Sequence, residues 1–240
     1  MIFLSLIIPL YNEENRLSKS LTKISQYFSK QKYAYEVIFV NDGSKYATLE
    51  LIEKLVKNKP EFKLISNSAN WGKGNAIKKG MLQAKGKYVI FTDIDLSTPL
   101  EELPKLITKL ENCNVAVGVR RHKQSQVLKH QSFIREFLGQ CFTIMTKMLV
   151  GKDIIDATCG FKGFRKTVKD KIFNQMKVNR WAFDAEILYL AKKYHYKIGQ
   201  VPVIWKNDTG TKVNMIRDGV GAFVDLIRIK MWDVIGEYKS

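Results

Sequence analysis

Asp93-Ile94-Asp95 follows directly on Lys87-Tyr88-Val89-Ile90-Phe91-Thr92, so two carboxylates stand one residue apart at the end of an apolar run. Val89, Ile90 and Phe91 are strand-forming residues between Gly86 and Pro99, which predicts a short buried strand. The carboxyl end of such a strand is where open α/β sheets hold their ligands. Two acids there suit a hard divalent cation, Mg²⁺ or Mn²⁺, that bridges to the phosphates of a nucleotide. Alone, the pair reads equally well as a solvated loop. Its meaning depends on the other strand ends.

Those ends carry related chemistry. Pro9-Leu10-Tyr11-Asn12-Glu13 follows one apolar segment, and Val40-Asn41-Asp42-Gly43-Ser44 closes another. A carboxylate such as Asp42 can accept from a ring N–H, and Glu13 from a ribose hydroxyl or a base. The same residue types also make ordinary βα turns and helix caps. Asn70-Trp71-Gly72-Lys73-Gly74-Asn75-Ala76 adds glycines that permit close backbone approach and a lysine charge at a helix start. It is not a Walker A loop, since the four-residue spacer and the following Ser/Thr are missing. Nor is it Gly-x-Gly-x-x-Gly, because Ile77 stands in the place of the third glycine.

The elements that must position these groups are legible as alternation. Strands are expected at residues 4–8, 36–40, 62–66, 88–92 and 115–119, and helices at 15–30, 47–58, 73–84 and 103–110. Leu17, Leu21, Ile24, Tyr27 and Phe28 give the first helix one apolar face. Strand–helix alternation of this kind implies a mostly parallel sheet covered on both faces. Beyond residue 120 the pattern changes. Residues 133–149 carry Phe133, Ile134, Phe137, Leu138, Cys141, Phe142, Met145, Met148 and Leu149 at helical spacing, with Arg120, Arg121, Lys123 and Lys129 upstream. Residues 213–238 repeat the theme, with Ile216, Val220, Phe223, Ile227 and Trp232 against Arg217, Arg228 and Lys230. Such helices either pack on the core or lie on an anionic membrane surface, and one helix can do both.

Composition bounds the class. The 240 residues are 45% hydrophobic and 26% charged, which is globular, and the net charge of +17 implies an anionic partner. Nucleic acid, an acidic membrane surface and a phosphorylated substrate all meet that requirement. Cys113, Cys141 and Cys159 show no metal-ligand spacing, and their scatter fits a reducing compartment. The apolar N-terminus lacks a basic n-region and a cleavage site and reads as the first strand, not as a signal. No apolar run of 18 or more residues occurs.

With four strand ends carrying nucleotide-suited groups in one order, the chain resembles the inverting family-2 glycosyltransferases of GT-A fold. The resemblance rests on Pro9-Leu10-Tyr11-Asn12-Glu13, Asn41-Asp42-Gly43-Ser44, Asn70 to Gly74 and Asp93-x-Asp95. Asp156-Ala157-Thr158-Cys159-Gly160-Phe161-Lys162-Gly163-Phe164 and Arg180-Trp181-Ala182-Phe183-Asp184-Ala185-Glu186-Ile187-Leu188 are similar to the polyprenyl-phosphate branch, and within it to the dolichyl-phosphate glucosyltransferases. Gln175 lies five residues before Arg180, so the Gln-x-x-Arg-Trp of the polymer synthases is absent.

The resemblance implies one GT-A catalytic domain over 1–240. Residues 1–120 would bind the nucleotide sugar, 121–212 the acceptor (with an amphipathic helix near 128–149), and 213–240 would form a C-terminal amphipathic helix. Pro9, Tyr11, Glu13, Asp42, Asn70, Lys73, Ile94 and Arg120 would line the nucleotide sugar, and Asp93 and Asp95 would hold Mg²⁺ or Mn²⁺ on its diphosphate. Arg135, Asp184, Glu186 and Lys212 would meet the acceptor or its phosphate, with Asp95, Asp156 and Arg135 at the chemistry. Asp156 is open to two roles, base or positioning group. Ser97 stands where mannosyltransferase relatives can carry a metal-contacting Gln.

The expected reaction moves a hexose, glucose from UDP-glucose, onto undecaprenyl or dolichyl phosphate at the cytoplasmic face of a membrane. The enzyme would be peripheral, anchored by its own helices, a partner subunit or a homo-oligomer. The enzyme rivals use GDP-mannose, UDP-N-acetylglucosamine or a glycan hydroxyl acceptor. A nucleic-acid-binding module lacks any reader motif, and a non-catalytic membrane scaffold has no need of the paired acids.

Overall fold

The structure, a computed structural model, describes residues 1–129, 133–207 and 215–239. Four strands run parallel: β1 (Leu4–Leu10), β2 (Tyr35–Asn41), β3 (Phe62–Ser66) and β4 (Tyr88–Phe91). β5 (Val115–Val119) lies beyond a strand that no alternation announced, β7 (Lys162–Arg165), which pairs antiparallel with both β4 and β5. β8 (Ile198–Pro202) closes the edge parallel to β5, giving a seven-stranded order β3-β2-β1-β4-β7-β5-β8. β6 (Gln126–Lys129) and β9 (Ile204–Lys206) form a small parallel pair of their own.

Side chains alternate between the faces of a strand, and the core divides accordingly. Leu6, Ile8, Val37, Phe39 and Ile90 point to one face, under α1 (Glu14–Phe28), α2 (Tyr46–Lys57) and α4 (Leu103–Leu110). Ile7, Ile38, Val40, Val89 and Phe91 point to the other, where α3 (Lys73–Gln83), α5 (Phe133–Val150), α6 (Lys166–Gln175), α7 (Phe183–Lys193) and α8 (Met215–Val234) pack. Continuous apolar strands such as Leu-Ser-Leu-Ile-Ile-Pro-Leu are what a sheet covered on both faces requires. The expected α/β class stands, with most element bounds shifted by a residue or two.

The two late amphipathic helices use both of their faces. In α8, Ala222, Leu226 and Ile229 are buried, while Val220, Phe223, Val224, Ile227, Met231 and Val234 are exposed. At 3.6 residues per turn these outward residues fall opposite the buried ones, with Arg228 and Lys230 on either flank. In α5, Thr143, Thr146 and Val150 are buried and Ile144 and Met148 exposed, whereas Phe142 packs against the core. Among the described residues no helix is long and apolar enough to cross a membrane.

One buried carboxylate ties the C-terminal segment down. Glu186 is fully buried in α7 and accepts from the backbone N–H groups of Lys177 and Val178, each at 2.8 Å. It also accepts from the Tyr238 hydroxyl at 2.6 Å. Burial pushes its carboxyl above the usual range. Tyr238→Phe, which leaves that carboxylate one donor short in a dry site, is expected to destabilise the protein by about 1–3 kcal/mol in chemical denaturation.

Candidate active site

Asp93 and Asp95 follow β4 at the carboxyl edge of the parallel strands, where the ends of β1, β2 and β3 also converge. A tight turn presents them. Leu96 N–H donates to the Asp93 carbonyl at 3.1 Å, with Leu96 itself at φ +50°. Ser97 N–H donates to Asp95 Oδ1 at 2.9 Å, which orients that carboxylate. Ile94, between them, turns into the core. Burial, with Asp93 beside it, raises the Asp95 carboxyl above its ordinary value.

Cations stand around the pair. Lys73, the first residue of α3, meets Asp93 Oδ1 at 2.6 Å. Burial alone would lower its pKa, but Asp93, Asp184 and Asp95 outweigh that and raise it. Arg16 on α1 pairs with Glu13 at 2.6 Å and lies 3.8 Å from Asp95 Oδ2. Gly160 closes the other side of Asp93, since a Cβ at 160 would collide with Asp93 Oδ2.

Asp42, at the end of β2, is 3% exposed and organises the loop ahead of α3. It accepts from Asn67 Nδ2 at 2.8 Å, Trp71 N–H at 3.0 Å and Gly72 N–H at 2.8 Å. Gly72 sits at φ +106°, a backbone state that a side chain rarely tolerates. Asn70 is half-buried in this loop, and Trp71 projects from it, 53% exposed. Tyr11 stands on the lip at the end of β1, 40% exposed. Pro9, by contrast, is a buried member of β1, in register with Val40.

On the far side of β4, Arg120 and Asp156 form a two-point ion pair. Arg120 Nε donates to Asp156 Oδ2 at 2.7 Å and Nη2 to Asp156 Oδ1 at 2.9 Å, with a third bond from Nη2 to Thr158 Oγ1 at 2.7 Å. The guanidinium also stacks over Trp205, 5.4 Å from the ring centre. Asp156 is fully buried. Although burial opposes its charge, the Arg120 guanidinium holds its carboxyl far below the usual range. Of the two roles open to Asp156, this geometry fits positioning: both oxygens are committed to holding one arginine.

Asp184 is paired with Lys162, whose ammonium also donates to the Cys159 carbonyl at 2.6 Å. Glu186, expected beside the acceptor, is instead the brace described above. With no exposed surface and three internal donors, it has nothing left for a phosphate. The side chain of Arg135 and all of Lys212 lie outside the described residues. Lys162, Arg16 and Gly160 are participants that the reading of the sequence missed. The first had a signal: a lone lysine inside Phe161-Lys162-Gly163-Phe164 must find a counter-charge once that strand is buried.

The donor set suits Mg²⁺ or Mn²⁺. Two carboxylates can take such an ion while it keeps waters and binds substrate phosphate oxygens, and among the described residues no third His, Cys, Asp or Glu completes an all-protein cage.

Comparison with known proteins agrees with this geometry. Residues 5–173 match the family described as Glycosyl transferase family 2. The chain is 33% identical to a dolichyl-phosphate beta-glucosyltransferase of Dictyostelium discoideum, over 99% of this chain and 77% of that protein. It is 33% identical to the enzyme of that name from Saccharomyces cerevisiae, over 100% and 77%. Among solved structures, glucosyl-3-phosphoglycerate synthase from Mycobacterium tuberculosis, in complex with Mn²⁺, UDP and its product, superposes with a TM-score of 0.64 at 14% identity. That match covers 95% of this chain and 80% of the synthase. A mannosyltransferase from Pyrobaculum calidifontis, in complex with GDP-Man and Mn²⁺, gives 0.59 at 17% identity, covering 94% and 64%. These two likenesses speak for the GT-A fold. The family match over most of the chain and the relatives at 33% identity say more: the chain belongs to glycosyl transferase family 2.

Proposed function

We propose that this glycosyltransferase moves glucose from UDP-glucose onto a polyprenyl phosphate of the dolichyl class, with inversion at C1 and with the help of Mg²⁺ or Mn²⁺. The observation that carries the donor half of this reading is the Asp93–Asp95 pair facing Lys73 at the carboxyl edge of β4. The sugar and the acceptor are supported by the relatives that match almost all of this chain, both dolichyl-phosphate beta-glucosyltransferases.

The chemistry asks little of a general base. A lipid monophosphate carries anionic oxygens near neutral pH, and one of them attacks C1 of the sugar as the bond to the UDP oxygen breaks. The difficulty is electrostatic, because two anionic phosphates must meet. Asp93 and Asp95 would hold a divalent ion, which would supply Lewis-acid stabilisation of the departing diphosphate. Lys73 contributes a cation at the start of α3, where the helix dipole also favours phosphate. Arg120, locked by Asp156 and Thr158, presents a fixed guanidinium toward the phosphates. Asp184, paired with Lys162, lies near enough to Lys73 to act on its charge and is suited to a sugar hydroxyl. Tyr11 and Trp71 offer exposed rings at the lip for the base, and Asp42 holds the loop that carries Trp71.

A lipid acceptor brings the enzyme to a bilayer. The outward stripe of α8, with its flanking Arg228 and Lys230, suits an anionic leaflet at the cytoplasmic face. Apolar side chains would enter the headgroup boundary and the cations remain among the phosphates.

Transfer of labelled sugar into an organic phase tests the reaction, using a short polyprenyl phosphate and Mn²⁺ with UDP-glucose, UDP-N-acetylglucosamine and GDP-mannose in parallel. Label from UDP-glucose alone is expected, abolished by EDTA. Label from another donor only would overturn the sugar assignment. Asp95→Asn should lower kcat/KM by roughly 10²-fold or more while circular dichroism stays unchanged. Phe223→Asp with Ile227→Asp should weaken flotation with anionic vesicles by roughly tenfold or more. UDP binding should survive that change, and unaltered flotation would remove α8 from the membrane.

A further inference from the structure

Asp93 has its two oxygens engaged differently. Oδ1 takes the Lys73 ammonium at 2.6 Å, while Oδ2 faces the backbone of Gly160, where no side chain fits. A divalent cation reaching Asp93 therefore has to displace an ammonium that already neutralises it. A displaced Lys73 ammonium can move only within the reach of its side chain, since its backbone is fixed at the first position of α3 and Phe183 lies 5.9 Å from the ammonium, so its charge remains within range of the site. A metal ion arriving alone thus loses twice, by breaking an ion pair and by standing beside a stranded positive charge.

A nucleoside diphosphate changes this. It gives the freed ammonium a new anionic partner at a helix start, where backbone N–H groups also favour phosphate. We propose that Lys73 is a built-in counter-ion for Asp93, exchanged onto the diphosphate when the nucleotide arrives, so that metal and nucleotide load as a linked pair and metal alone binds weakly. The inference rests on the reading of Asp93 and Asp95 as the seat of the divalent cation. By linkage, the factor by which UDP tightens Mn²⁺ must equal the factor by which Mn²⁺ tightens UDP.

The test is Mn²⁺ binding to the full chain, followed by electron paramagnetic resonance of the free ion and by calorimetry, with and without UDP. Lys73→Met is expected to bind Mn²⁺ alone about three- to tenfold more tightly than the wild type. The tightening by UDP should shrink by at least the same factor. Lys73→Arg, which keeps the charge, should retain weak binding of the metal alone. Circular dichroism checks the fold, and Lys73→Gln replaces the Met variant should that one not fold. Unchanged or weaker Mn²⁺ affinity in the neutral variant, alongside normal Mn²⁺–UDP binding by the wild type, would overturn the counter-ion role alone. A wild type that takes up no Mn²⁺ even with UDP would overturn the metal-site reading and this proposal together.

Discussion

Two carboxylates one residue apart at the edge of a sheet repel each other, and much of the surrounding architecture answers that repulsion. Lys73 comes from α3, Arg16 from α1, and the glycine that lets Asp93 lie close comes from the loop before β7. Each cation sits at or near the start of a helix that follows a parallel strand, so the βα repeat itself brings positive charge to the acids. The ion pairs are partly buried, so the cost of desolvation offsets much of their attraction and they add little net stability. Their value is geometric: they hold charges of opposite sign a few ångströms apart at the carboxyl edge of the sheet.

The antiparallel strand β7 joins this centre to the second half of the chain. It lies between β4, which leads into Asp93, and β5, which leads into Arg120. The loop preceding it carries Asp156, Thr158, Cys159 and Gly160, so one short segment locks Arg120, closes on Asp93 and supplies the carbonyl that steadies Lys162. Removing an uncompensated charge from water is costly, and the buried Lys162 is accepted only because Asp184 and that carbonyl receive it. The pair in turn sets the position of Asp184 relative to Lys73. The Asp93 and Asp156 sides of the cleft are thereby linked through contiguous side chains.

The first half of this fold was legible in the sequence because its strands are continuous apolar runs and its helices carry one apolar face. Residues 62–66, 103–110 and 115–119 were expected at their observed bounds. In the second half the two amphipathic helices were legible, at 133–149 and 213–238 against Phe133–Val150 and Met215–Val234 observed, but β7 was not. Lys162-Gly163-Phe164-Arg165 shows neither alternation nor an apolar run, since its burial comes from pairing between β4 and β5 and its lysine is neutralised from a distant helix. Glu186 misled for a related reason. An acid two residues from Asp184 in a motif-bearing helix looks like a ligand. One helical residue step of about 100° turns neighbouring side chains to different faces, and two steps separate Asp184 from Glu186. One therefore faces Lys162 and the other the C-terminal segment.

The charge of +17 was read as a demand for an anionic partner, and the fold shows why such an excess need not mean nucleic acid. Among the described residues of the cleft, Lys73, Arg16, Arg120 and Lys162 are matched by Asp93, Asp95, Asp156 and Asp184. A phosphate backbone would meet those acids first and be repelled. On the proposed reading, an anionic ligand would enter by exchanging partners, bringing a divalent ion for the acids while taking the lysine for itself. The excess lies elsewhere on the chain, and even beside the outward stripe of α8 Arg228 and Lys230 meet Asp225 and Asp233 of the same helix at 3.2 and 4.0 Å. The charge balance of the cleft is therefore set locally, by the carboxylates that the strand ends bring together, and not by the net charge of the chain.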